Sequence, residues 1–297
     1  MLSILIPTYN TEVVALVMEL AKQLQELDFP SEIMVLDDAS NQPHILEANE
    51  ALRTFKGVSY FTSEKNMGRT AARTLLAQKA HYNYLLFLDA DVQPKHPNFL
   101  SRYSDFIQDS NSIIVGGIEY EKDLPEKDKM LRYRYGKARE SKSALTRNKT
   151  PHIIVSANIL FQKNVFLEIN KDMANRYGLD LLLSEKIKQL NIPVKHIDNP
   201  VIHLGLENST DFLKKSKNAL QTLISLETEN KVSKDAYPIQ RAYEKLKKFK
   251  LLGLFNWLMS LFQKSIRKNL LSGKPSVFLF NLYRLHHYTQ LKKASNA

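Results

Sequence analysis

Short apolar runs alternate with segments of helical period through the first 120 residues, and this alternation constrains the fold more than any other feature of the chain. Leu2–Pro7 is an apolar run of strand length. Glu12–Leu27 follows, with Val13, Leu16, Val17, Leu20 and Leu24 on one helical face. Ile33–Leu36 reads as a strand, Pro43–Thr54 as a helix, Val58–Phe61 as a strand and Gly68–Ala80 as a helix. Tyr84–Leu88 is a strongly apolar strand, Pro97–Ile107 is helical, and Ser112–Gly116 is a fifth strand. Strand and helix in turn predict an α/β domain, an α/β/α sandwich around a mainly parallel sheet, because parallel neighbours need a crossover between them.

The rest of the chain is less regular. Lys127–Lys149 holds nine basic residues against Asp128 and Glu140 and reads as a helix running into a loop. Ile153–Phe161 is strand-like, Val165–Ile169 and Gly178–Leu190 are helical, and Val194–His203 is extended. From Asn208 the pattern is helical to the end, with breaks near Tyr237-Pro238 and Gly273-Lys274-Pro275. We therefore expect two domains, 1–207 and 208–297. No internal repeat or low-complexity tract is present.

Three strands end in polar signals: Pro7-Thr8-Tyr9-Asn10, Asp37-Asp38-Ala39-Ser40 and Asp89-Ala90-Asp91. In an open α/β sheet, ligands sit beyond the carboxyl ends of the strands, so these three ends predict one site. Asp89 and Asp91 are offset by two residues at a strand end, an arrangement that can hold a hard divalent cation completed by substrate phosphates. Taken alone the pair is a solvated turn; the apolar run before it and the two companion strand ends favour function. One of the adjacent acids Asp37 and Asp38 can cap the following helix, a part open to Ser40 as well, while the other can accept a hydrogen bond from a base or sugar. Tyr9 either stacks on a nucleobase or fills the sheet edge.

These segments, with Asn66-Met67-Gly68-Arg69-Thr70-Ala71-Ala72-Arg73, resemble family 2 glycosyltransferases in order and spacing. The resemblance implies a GT-A fold, a nucleotide-diphosphate sugar donor (a UDP-sugar by family habit), a divalent metal (Mn2+ or Mg2+) and inversion at the anomeric carbon. It implies that Pro7, Thr8, Tyr9, Asp38, Asn66, Gly68, Arg73, Asp89 and Ala90 surround the nucleotide, with Asp91 on the metal and Asp89 between ribose and metal. Ser156-Ala157-Asn158 resembles the family's acceptor-side strand. Arg176-Tyr177-Gly178-Leu179-Asp180 stands where the family has Gly-x-Glu-Asp, so Asp180 becomes the candidate catalytic base. Leu179 replaces the usual Glu, and the spacing from Gly178 is one residue short. The competing reading of Asp180 is an acid at a helix N-terminus. His196 to Glu207 resembles a bacterial, Bacteroidetes-like subgroup, with His203 in a His-x-Gly position that reaches metal or diphosphate or is simply structural.

Charge separates body from tail. The chain of 297 residues carries a net charge of +11. Residues 1–240 balance, whereas 241–297 hold twelve basic side chains against Glu244 alone. There are no cysteines, which excludes disulfides, zinc-thiolate sites and a cysteine nucleophile, and fits a reducing compartment. No basic n-region precedes an apolar stretch at the start, so no targeting segment is expected. The longest apolar stretch, Leu251–Phe262, is interrupted by Gly253, Asn256 and Ser260 and is too short to span a bilayer. Phe249–Leu271 instead carries a wide apolar face flanked by Lys247, Lys248, Lys250, Arg267 and Lys268. That suits a helix lying in an anionic membrane interface, which predicts a cytoplasmic enzyme peripheral to the inner face of the plasma membrane. The alternative is a helix packed on the protein.

The expected activity is transfer of a sugar to a glycan or lipid-linked hydroxyl in cell-envelope polysaccharide synthesis. A non-catalytic sugar-nucleotide sensor competes because of Leu179. Nucleic-acid binding through the tail is disfavoured, since Phe255, Trp257 and Phe262 belong to an apolar face and not to base-stacking platforms. A nucleotidyltransferase would need a glycine-rich loop after the first strand, and Thr8-Tyr9-Asn10-Thr11 offers none.

Overall fold

A computed structural model describes residues 1–107, 113–171 and 180–295. The strands are β1 (Leu2–Thr8), β2 (Ser31–Asp37), β3 (Val58–Thr62), β4 (Tyr84–Leu88), β5 (Val92–Pro94), β6 (Ile113–Val115), β7 (Ile118–Tyr120), β8 (Asn158–Gln162), β9 (Val194–His196) and β10 (Val201–His203). Among the described residues seven of them form one sheet in the order β3-β2-β1-β4-β8-β6-β9, and β5-β10-β7 form a second, smaller one. The run from β3 to β4 is parallel, whereas β8 is antiparallel to both β4 and β6. This is the α/β GT-A fold with helices after it.

The parallel half follows from the sequence pattern. The side chains of β1 and β4 are buried almost throughout, as strands covered on both faces require. The helices Val14–Leu24 and Arg69–Lys79 pack on this part of the sheet. Leu16, Val17 and Leu20 of the first helix pack with Leu2, Ile4 and Ile6 of β1 and Ile33 and Val35 of β2 in one core. The parallel register sets Thr8 beside Asp37, so the loops leaving β1 and β2 start side by side.

The irregular half departs from the expectations. Val194–His203 is not one extended segment: it is β9 in the large sheet, a bend, and β10 in the small one. Pro97–Ile107 is helical only over Ser101–Ile107, first as a 3-10 turn. β5 and β7 were not anticipated, because three-residue strands carry no readable period. The segment Lys127–Lys149 holds a short 3-10 turn and the helices Met130–Arg139 and Ala144–Arg147.

The chain divides into two compact units. The first comprises Met1–Glu121, Glu140–Asn175 and Lys186–Gly205, and carries both sheets. The second comprises Lys122–Arg139, Arg176–Glu185 and Leu206–Ala297. It is built on the helices Met130–Arg139, Ser209–Thr228, Pro238–Lys248, Leu252–Leu270 and Val277–Ser295. Its core joins Leu131, Phe212, Leu213, Met259, Ile266, Leu270 and Phe280. A buried polar knot sits beside that core. The Glu227 carboxylate accepts from Gln240 Nε2 (2.8 Å), Tyr288 Oη (2.6 Å) and Lys292 Nζ (2.7 Å), which ties three helices together. The breaks at Tyr237-Pro238 and Gly273–Pro275 are where the sequence places them, and a further one at Phe249–Leu251 has Lys250 at a φ of 57°. Among the described residues no helix is long and apolar enough to cross a membrane.

Candidate active site

The site is built on the carboxyl ends of β1, β2 and β4, all in the first unit. Leaving β1, the chain turns through Asn10 at a φ of 50°, and leaving β2 it turns through Ala39 at a φ of 61°. The two turns are stitched together. Asn10 N donates to Ser40 Oγ (2.7 Å), Asn10 Nδ2 to Asn41 Oδ1 (2.9 Å) and Asn41 N to Asn10 Oδ1 (2.9 Å). Thr8 is buried and spends its hydroxyl on Thr11 O (2.9 Å). Pro7 is half-buried at the end of the strand. Tyr9 is 45% exposed, so its ring does not fill the sheet edge.

The adjacent acids of β2 do different work. Asp37 is fully buried, accepting from Ser40 N (2.7 Å) and Tyr60 Oη (3.4 Å), so it pins the turn and caps no helix. Burial and the neighbouring Asp37 carboxylate push the Tyr60 hydroxyl's pKa up. Asp38 accepts from Met67 N (2.8 Å) on one oxygen and Gly68 N (2.7 Å) on the other, while Asn66 Nδ2 donates to Asp38 O (3.1 Å). Asn66, Gly68 and Asp38 are thus brought together, with Asp38 holding the loop that opens the helix Arg69–Lys79. Gly68 at that helix N-cap has a φ of 80°, a conformation natural to glycine.

β4 ends in the most densely charged part of the site. Arg69 Nη2 donates to both oxygens of Asp89, at 2.7 and 2.8 Å, and Arg73 Nη2 donates to Oδ1 at 2.8 Å. The two arginines are four residues apart and so share one face of the helix. Arg73 is buried, donates to Ser156 O (2.7 Å) and lies 5.4 Å from the Phe87 ring centroid. Arg69 is half-exposed and also reaches Ser156 Oγ at 3.1 Å. Burial pushes the Asp89 carboxyl up, but the guanidinium groups of Arg69 and Arg73 outweigh it and hold it below the usual carboxylate range. Asp89 therefore spends its charge on the arginines.

Asp91 is the freer carboxylate. Its Oδ2 lies 3.5 Å from His203 Nε2, brought there by the antiparallel pairing of β5 with β10, in which His203 faces Val92. On the other side of β10, His203 is in register with Tyr120, whose ring lies 5.5 Å from the imidazole, and the Tyr120 hydroxyl bonds to Glu140. Burial, opposed by His203 and reinforced by Asp89, raises the Asp91 carboxyl. Gly205 leaves room for it: a Cβ there would stand 2.1 Å from Asp91 Oδ2. Ala90 between the two acids is half-buried.

Among the described residues no group of three or more His, Asp and Glu side chains is gathered to hold a metal. A cation here would have Asp91 and His203 as protein donors and would be completed by substrate oxygens, a set that suits Mn2+ or Mg2+ on a diphosphate. The glycine cradle beside the carboxylate fits that group.

The remaining candidates play other parts. Ser156 touches both arginines, but Asn158 is a buried strut: its Nδ2 donates to Gly117 O and Asn199 O, and its Oδ1 accepts from Tyr103. Asp180 belongs to the second unit, where it opens the helix Asp180–Gln189 half-buried. Gly178 and Leu179 lie outside the described residues. Sequence reasoning gave no role of their own to Arg69, Tyr120 or Gly205. Arg69 was readable from its spacing to Arg73, while Tyr120 depends on a strand too short to recognise.

A parallel sheet closed by an antiparallel strand, with acids and arginines at its strand ends, defines a GT-A glycosyltransferase. The profile of glycosyl transferase family 2 matches residues 3–169, more than half the chain, and the chain belongs to that family. Chondroitin synthase of Escherichia coli is 31% identical over 124 residues, which are 40% of this chain and 17% of that protein. The chain thus spans a small part of that relative's length. Among solved structures, the mannosyltransferase PcManGT from Pyrobaculum calidifontis, in complex with GDP-Man and Mn2+, superposes with a TM-score of 0.55 at 15% identity. It is covered over 80% of its length by 98% of this chain. S. aureus TarS gives 0.50 at 18% identity, over 75% of this chain and 39% of that one.

Proposed function

We propose that the protein transfers a sugar, with inversion, from a nucleotide-diphosphate sugar to a hydroxyl of a glycan or lipid-linked acceptor in envelope polysaccharide synthesis. The observation that carries the reading is the Asp89–Arg69–Arg73 cluster beside Asp91 and His203 at the strand ends of a family 2 chain. A UDP-sugar is the proposed donor. The GDP-Man and Mn2+ bound by the archaeal mannosyltransferase support a nucleotide sugar and a divalent metal. The bacterial subgroup rests on residues 196–207 alone.

Asp91 and His203 would hold the cation, which when bound neutralises charge on the diphosphate as it leaves. The chain's own residues do the rest. Asp38 fixes the loop of residues 66–68 on which the nucleotide would lie. Tyr9 offers an exposed ring for the base. Arg69 stands half-exposed as a cation for the phosphates, held in place by Asp89. The acceptor oxygen attacks the anomeric carbon, the bond from that carbon to the diphosphate oxygen breaks, and the nucleoside diphosphate departs. Asp180 takes the acceptor proton, an assignment that rests on its motif.

Hydrolysis of a panel of nucleotide sugars with Mn2+ tests the reading, because release of a nucleoside diphosphate from one donor identifies it. Asp180→Asn should stop transfer and keep donor binding. Turnover at the parental rate would reassign the base, binding of a donor without hydrolysis would place the protein in the sensor class, and a panel with neither would overturn the reading.

A further inference from the structure

The apolar surface of the helix Leu252–Leu270 is split between two uses. Met259, Ile266 and Leu270 are buried in the core of the second unit, with Phe255 packed against them. Asn256, a polar interruption of the apolar stretch, is turned inward, where its Oδ1 accepts from Thr289 Oγ1 (2.6 Å) and pairs with His286 Nδ1 (3.0 Å). On the other side Leu254, Trp257, Leu258, Leu261 and Phe262 are left in solvent, Trp257 at 61% and Leu261 at 62% exposure. Positions 254, 257, 258 and 261 follow helical spacing, so they form one stripe. Phe249 and Leu251, just before the helix, are exposed as well. Apolar side chains scattered singly need no explanation, but a continuous stripe of this size marks a surface that something covers.

Charge identifies the cover. Lys247, Lys248 and Lys250 precede the stripe, and Lys264, Arg267 and Lys268 follow it, all exposed. The acidic complement of residues 241–297 is Glu244 alone. A second copy of this chain would bring like charges against these. An anionic lipid surface supplies both what the apolar stripe needs and what the cations need: acyl chains for Leu and Trp, and phosphates for Lys and Arg.

We propose that the exposed face of Leu252–Leu270, with its basic flanks, is a docking surface for an anionic lipid bilayer. The helix lies in the interface and does not cross it, consistent with the absence of any spanning helix among the described residues. The surface stands independently of the transfer reaction, so failure of one does not entail failure of the other.

The protein carries its own reporter, since Trp257 is its single tryptophan and sits in the stripe. The full chain is titrated with phosphatidylcholine vesicles, with and without phosphatidylglycerol, while Trp257 emission and vesicle flotation are followed. A blue shift and flotation with the anionic vesicles only are expected. Leu261→Glu with Leu258→Ser should abolish both, and Lys264→Gln with Arg267→Gln and Lys268→Gln should weaken vesicle affinity by about tenfold or more. Circular dichroism establishes that these surface variants stay folded. Equal emission and no flotation with anionic vesicles would overturn the proposal. So would a blue shift that appears without lipid as protein concentration rises, because it would assign the face to a second copy. A shift produced equally by inositol hexakisphosphate in solution would reduce the site to a phosphate-binding patch and also overturn it.

Discussion

The Asp89 carboxylate is shared by two arginines, and this changes what the acidic pair of β4 can do. With both oxygens of Asp89 occupied, Asp91 is the carboxylate open to a cation. Asp91→Asn should therefore lose more than the ~10–100-fold that outer-sphere changes cost in metal affinity, as read by calorimetry of donor binding with and without Mn2+. Arg69→Ala removes a charged hydrogen-bond donor worth about 1.5–3 kcal/mol, so nucleotide-sugar affinity should fall about tenfold or more while the melting temperature moves little. Asp38→Ala should behave in the opposite way for the fold. It strands the N–H groups of Met67 and Gly68 at a cost of about 1–3 kcal/mol, several degrees in Tm. The role of Asp38 as a loop anchor was not legible, because its partners are backbone amides 29 and 30 residues further on and no side-chain pattern announces them. Asp89 and Asp91 were legible because a buried run led straight into them.

Elements become readable when burial imposes a period, and the two halves of the first unit show the contrast. β1, β2 and β4 are buried over most of their length and appear as apolar runs that any reading finds. β5, β7 and β10 are three residues each, paired with strands far away in the chain, and their existence depends on those partners. The antiparallel direction of β8 is likewise a property of the assembled sheet and not of Asn158–Gln162. The tail shows the same limit. Helical period predicts Leu252–Leu270 well, but it cannot say which apolar residues go inward, and Asn256 does so against its polarity. Asn256→Ala should accordingly cost about 1–2 kcal/mol in chemical denaturation, since it removes the acceptor that faces Thr289 and His286 and leaves the Thr289 hydroxyl only His286 O. A solvated Asn would cost nothing measurable.

At the scale of the molecule, the first unit contains a buried histidine that contributes to its response to acid. His196 Nε2 pairs with Pro151 O (2.8 Å) and its Nδ1 with Arg147 Nη1 (2.8 Å), so a proton on Nδ1 would face a guanidinium. Burial lowers its pKa below the usual 6.5, aided by the Arg147 charge and only partly offset by the bond to Pro151 O. The unfolded chain therefore binds the proton more readily. The stability held above pH 6.5 should drain away as pH falls from there through the lowered folded-state value. Urea midpoints measured across that range should drop in the parent and flatten in His196→Gln. The same unit closes late in the chain: His203 reaches Asp91 only through β10, more than a hundred residues beyond the acid. Closing so long a loop is slow relative to local pairing. During synthesis, all three strand ends exist well before β10 emerges, so a nascent chain holds the acids and arginines without the imidazole. On the proposed reading, cation affinity would then await the pairing of β10, which makes it a reporter of that closure.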